Sequence, residues 1–111
     1  MSDYTYLASP YSHPDPAVRE ERFRLAVAAA AKLMKQGEIV FCPIAHSHCI
    51  DLKFDSPESG EFWKRQDWPM LRGADRLVVL MIDGWEESDG IMHEVGVAKN
   101  IGIPVGYMYA D

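Results

Sequence analysis

RLVVLMI, residues Arg76 to Ile82, is the most apolar stretch of the chain, and its reading decides the fold. Apolar residues follow Arg76 without alternation, which predicts a strand buried on both faces, as in a helix-covered parallel sheet. Upstream, Glu58 to Arg72 reads as a helix that Pro69 is expected to end or kink. Downstream, Ser88 or Asp89 can cap a helix running to about Asn100, Gly102 ends it, and Ile103 to Tyr107 reads as the last strand. Nearer the N-terminus, Tyr4 to Ala8 is a short apolar strand stopped by Ser9-Pro10. Asp15-Pro16 is a helix start, because Asp caps well and Pro suits the first helical position. Phe23, Val27, Ala30 and Met34 keep to one face of the helical stretch from Val18 to Lys35, and Gly37 ends it. Glu38 to Cys42 is a second strand, with Pro43 as its stop. Ile44 to Gly60 reads as irregular, with the turn-like Asp55-Ser56-Pro57. Strands and helices alternate with long crossovers, which predicts one α/β domain with a parallel sheet of four clear strands and room for a fifth.

Composition narrows the function. The 111 residues suit a single domain, 1–111, and 48% hydrophobic with 25% charged residues is the balance of a folded globule. Eleven Lys and Arg against 17 Asp and Glu give a net charge of −6, which argues against a nucleic-acid polymer as partner. A few placed donors can still hold one small anion. No apolar run has the length of a membrane span, so no membrane partner is expected. The opening MSDYTYLASPYS lacks a basic region followed by an apolar core, so it does not read as a secretory signal. With only Cys42 and Cys49 there is no disulfide framework, and the expected setting is the reducing cytoplasm.

In open parallel sheets ligands bind beyond the carboxyl ends of the strands. The segments there are Ser9 to His13, Pro43 to His48 and Asp83 to Gly90, the most polar and turn-rich parts of the chain. Ser9, His13, His46 and His48 are therefore expected to line a pocket, and so are Asp83, Ser88, Asp89 and Gly90. Two carboxylates at such a crevice can do nucleophile and acid/base work on a glycosidic bond. Asp67 and Glu94 are in the acidic set, although a glutamate near a helix start also stabilises the helix dipole. His46, His48 and Cys49 match no zinc spacing, so no metal site is expected, and no other cofactor is implied.

Three motifs in order carry a resemblance: YLASPY at 6–11, the stretch from Lys64 to Asp75 with its Arg-Gly-Ala-Asp end, and DGWEESDGIMHEVGVAKNIGIPV from Asp83 to Val105. Together they resemble the nucleoside 2-deoxyribosyltransferase superfamily, which includes 2′-deoxynucleoside 5′-monophosphate N-hydrolases. The resemblance spans nearly the whole chain and is closest to a branch carrying PIAHSH and DGWE. It implies a Rossmann/flavodoxin-like three-layer domain that cleaves or transfers at the N-glycosidic bond of a deoxynucleoside or its 5′-monophosphate. Glu94 matches the family's nucleophile, Tyr6 the tyrosine that orients it, and Asp67 the aspartate that assists the leaving base. Ser88 falls where family members hold the 5′-hydroxyl or phosphate, next to Asp89, which would repel an anion.

The superfamily's sites are commonly completed by a second subunit. This implies a homodimer or higher homo-oligomer, with Phe62, Trp63, Trp68 and Leu71 as the candidate interface. Family members often carry a tail beyond the last strand that reaches the base or a neighbour's site. This chain stops at Asp111, so that contribution is expected to be absent or replaced. A competing reading from a different class is a non-catalytic nucleotide-binding module.

Overall fold

In the computed structural model, residues 4–55 and 59–110 are described. The Ser56-Pro57 turn and the proposed helix start at Glu58 lie outside them. Four strands, β1 (Thr5–Ala8), β2 (Val40–Phe41), β3 (Arg76–Leu80) and β4 (Val105–Met108), form one sheet in the order β2-β1-β3-β4. Every pairing is parallel, with Tyr6 opposite Phe41 on one side and Leu77 on the other. This is a Rossmann/flavodoxin-like three-layer α/β fold. Among the described residues no fifth strand joins it, and no helix is long and apolar enough to cross a membrane.

Side chains alternate across β1 and β3 to make two separate cores. Leu7, Val78 and Leu80 face α1 (Pro16–Lys35), whose Ala26, Ala29, Ala30 and Leu33 lie against the sheet. Tyr6, Ala8, Leu77 and Val79 face the opposite layer, made by α3 (Gly60–Arg72) and α4 (Asp89–Ile101) through Leu71, Ile91 and Ala98. The α1 boundaries follow the expected chemistry. Asp15 accepts from the Ala17 N–H, and Gly37 takes φ +96° while its N–H and that of Glu38 close on the Met34 and Leu33 carbonyls.

The segment expected to be irregular is partly a helix, α2 (Pro43–Asp51). Pro43 ends β2 and also occupies the first helical position, where its missing N–H is harmless. The helix is held by packing on α1 and β1, with His48 and Asp51 buried, rather than by a periodic apolar stripe. PIAHSH is therefore helical and not a loop. Nor does Pro69 end α3. It sits in the last turn, where only its own donor is lost, and its carbonyl still accepts from Gly73 at 3.2 Å.

Candidate active site

The strand order reverses direction between β1 and β3, so the crevice for a ligand opens above their carboxyl ends. A cavity of about 670 Å³ lies there, large enough for a nucleotide-sized molecule. Its walls come from the segment after β1, from α2, from α3, and from the turn that leads into α4.

At its base are Tyr6, Asp67 and Glu94. Ile91, Glu94 and Ala98 share one face of α4, and since Ile91 and Ala98 are core residues, that periodicity carries the Glu94 carboxyl inward. Tyr6 is fully buried on β1 and its hydroxyl donates to Glu94 Oε2 at 2.5 Å. Burial raises Glu94 to about 7. The Asp67 charge pushes the same way, while the Tyr6 hydrogen bond and the Lys64 charge oppose it. Burial also raises Asp67 to about 6. For Tyr6, burial and the neighbouring Glu94 charge drive the phenol far upward, so it remains a donor. Lys64, which also lines the cavity, pairs with Glu61 at 3.4 Å.

At the rim, Ser88 is the N-cap of α4, accepting from Ile91 N–H at 3.2 Å, and it lines the cavity with Asp89 and Gly90. Ser9 also lines it. Its buried hydroxyl has no hydrogen-bond partner among the described residues. His13 lines the cavity from an exposed position, its Nδ1 accepting from Asp15 N–H at 3.0 Å. Arg22, on α1, is not among the residues that the sequence singles out. Its guanidinium reaches the cavity and donates to the carbonyls of Ser12 at 3.0 Å and Asp83 at 3.4 Å. Gly84 makes room for it: φ is +89°, and an added Cβ would collide with the guanidinium.

Two expected contacts fall elsewhere. His46 is exposed, beside Ser47 and tilted against Phe41, and does not line the cavity, because the helical turn of α2 points it away. The Asp83 side chain is exposed outside the cavity and only its carbonyl meets Arg22. Trp85 leans on Tyr107 with ring centres 5.8 Å apart rather than entering the main cavity. His48 does line the cavity, but both its ring nitrogens already have protein partners, Tyr11 and Glu20. Of the proposed interface residues, Leu71 is a core residue, Trp63 donates to Asp51 at 3.3 Å inside the cavity wall, and Trp68 is 38% exposed. Among the described residues no group of three or more His, Cys, Asp or Glu is arranged to hold a metal ion.

No curated protein matches the chain. Residues 3–110 match a family described as a domain of unknown function, DUF1937, and since this covers nearly the whole sequence, the chain belongs to that family.

Proposed function

We propose that the protein cleaves, or transfers at, the N-glycosidic bond of a 2′-deoxynucleoside or its 5′-monophosphate, with Glu94 as nucleophile. The observation that carries this reading is the Tyr6 hydroxyl donating to Glu94 Oε2 at 2.5 Å inside the cavity, with Asp67 on the same wall. A partly desolvated carboxylate is more reactive than a fully hydrated one, and a single fixed donor orients it. In the first step a Glu94 oxygen bonds to C1′ as the C1′–N bond breaks. The electron pair of that bond stays with the base, which takes a proton from Asp67. Water, or a second base, then gives a proton to Asp67 as it bonds to C1′, and the C1′–Glu94 bond breaks to free the carboxylate. The raised Asp67 pKa suits that carboxyl to exchange a proton near neutral pH, whereas Glu94 attacks only when ionised, and because the two interact, the pair titrates together.

The 5′ end favours a monophosphate. Support comes from the unpartnered Ser9 hydroxyl, the Arg22 guanidinium, and the backbone N–H groups at the start of α4, with Asp89 as the opposing charge. A ribose 2′-hydroxyl would sit beside the attacked carbon, so deoxy substrates are expected to be cleaved better than ribo ones. A homodimer belongs to the same reading, with Trp68 the exposed member of the expected interface, and a monomer by light scattering would remove that part.

The test is to incubate the protein with deoxynucleosides, their 5′-monophosphates and the ribo counterparts, and to measure free base by chromatography. Base release is expected from deoxy substrates, with kcat/KM about tenfold higher for the monophosphate. Nucleotide binding without release of base would favour the non-catalytic binding module. The absence of both binding and release overturns the reading.

A further inference from the structure

Away from the glutamate centre, Tyr11, His48 and Glu20 form a hydrogen-bonded chain that runs from the cavity to the surface. The His48 side chain is 4% exposed and that of Glu20 is 58% exposed. The imidazole is held flat by stacking on Phe23 at 4.3 Å between ring centres, and Tyr11 meets it edge-on at 5.5 Å. Its Nε2 lies 3.0 Å from Glu20 Oε1 and its Nδ1 lies 2.6 Å from Tyr11 Oη. The contacts come from three segments: Tyr11 follows β1, Glu20 and Phe23 are on α1, and His48 is on α2.

The order of the protons follows from the chemistry of the ends. A carboxylate only accepts, so Nε2 carries the proton that faces Glu20. In a neutral ring Nδ1 then has a lone pair, and it must take the Tyr11 proton. Burial raises the Tyr11 phenol, which therefore keeps that proton to donate. With its hydrogen committed to His48, Tyr11 presents only lone pairs to the cavity it lines. The charged groups acting on it are Asp51 and Glu20, which favour the neutral phenol, and Arg19, which opposes them through its charge and a hydrogen bond to the phenol oxygen, leaving one lone pair for a ligand. Asp51 is another buried oxygen acceptor of the cavity wall, where it takes the Trp63 indole N–H. This part of the wall suits a hydrogen-bond donor on the ligand.

We propose that Tyr11 is a specificity-determining residue that accepts a hydrogen bond from a sugar hydroxyl of the ligand, and that His48 and Glu20 are the positioning residues that fix its polarity. The inference rests on the nucleotide-ligand reading above. In a 2′-deoxynucleoside 5′-monophosphate the sugar has one free hydroxyl, the 3′, so that is the group Tyr11 would read.

The experiment is a cycle of binding constants measured by calorimetry. It compares a 2′-deoxynucleoside 5′-monophosphate with its 2′,3′-dideoxy analogue, on Glu94→Gln protein with and without Tyr11→Phe, so that neither ligand is consumed. Loss of the 3′-hydroxyl is expected to weaken binding about tenfold when Tyr11 is present and less than twofold in the Tyr11→Phe protein. Equal losses in both proteins overturn the inference while leaving the glycosidic reading intact. Binding of neither ligand, to these proteins or to the unsubstituted chain, overturns both. On the unsubstituted chain, nitrogen-15 NMR is expected to show the neutral form of His48 protonated at Nε2 and bare at Nδ1. The reverse tautomer overturns the positioning role whether or not any variant folds.

Discussion

Tyr6 and Leu7 are neighbours in β1 and neither has exposed surface, yet they serve opposite faces of the sheet. Leu7 meets Ala26, Ala29 and Ala30 of α1, small side chains that let a long helix lie close and seal an apolar layer. Tyr6 is packed as tightly among Ala8, Leu71 and Ile91, but its hydroxyl ends on the Glu94 carboxyl. Equal burial therefore has unequal consequences. On the α1 face it removes hydrocarbon from water and stabilises the fold. On the α3/α4 face it also desolvates two carboxyl groups, raising Glu94 to about 7 and Asp67 to about 6, and so holds a destabilised group in a fixed place.

The sharpest way to break this contrast is one substitution on each face. Glu94→Gln is expected to lower base release by about 10³-fold or more while the protein stays folded, a loss of about 4 kcal/mol in transition-state stabilisation. Leu7→Ala should do the reverse, costing about 2–5 kcal/mol of stability with little change in kcat for the molecules that remain folded. Base-release kinetics and denaturant unfolding of both variants decide it. An equal loss of kcat in folded Leu7→Ala protein would erase the distinction between the faces.

A second effect, smaller, is visible in stability alone. The folded-state pKa of Glu94 lies above its unfolded value, so between about pH 4.5 and pH 7 the folded state binds more protons than the unfolded state. Stability from this group is therefore full below about pH 4.5, falls as pH rises through 7, and stays low above it. Glu94→Gln removes that slope. At pH 8 the variant should be more stable than the parent by on the order of 2–3 kcal/mol, read as a higher denaturation midpoint. A parent whose stability does not fall over this range would mean that Glu94 is not desolvated.

Tyr6→Phe should give the smallest change, and the most diagnostic one. The Tyr6 hydrogen bond holds Glu94 down, so its loss pushes the carboxyl further up and moves the acid limb of the rate profile to higher pH. A drop in kcat/KM of about tenfold near pH 6.5 is expected, with recovery as pH rises. A uniform drop at every pH would make Tyr6 a packing residue, like its neighbour Leu7.

Much of this architecture is legible along the chain. RLVVLMI, the caps at Asp15 and Ser88 and the glycines at Gly37 and Gly102 mark elements through local rules that need no knowledge of the rest of the fold. The helix at Pro43–Asp51 is not legible that way, because its few residues carry no periodic stripe and Pro43 reads equally as the end of a strand. Tyr6, Asp67 and Glu94 could be singled out from a motif resemblance, and the fold brings all three to one cavity.

Arg22 and Glu20 carried no such mark, and Tyr11 stood in the YLASPY motif without an assigned role. Glu20 reaches His48 across 28 positions of sequence and Tyr11 reaches it across 37, through side chains that would look like ordinary surface groups in isolation. By itself the sequence determined the existence and order of the four strands and of α1, α3 and α4, and that the sheet is parallel, because φ/ψ preference, capping and apolar periodicity act over a few residues. Only the tertiary structure decided which of two adjacent β1 side chains meets a carboxyl and which histidine meets the cavity. Those outcomes depend on the sheet order, on the face each helix turns inward, and on burial, which exists only once distant segments have packed.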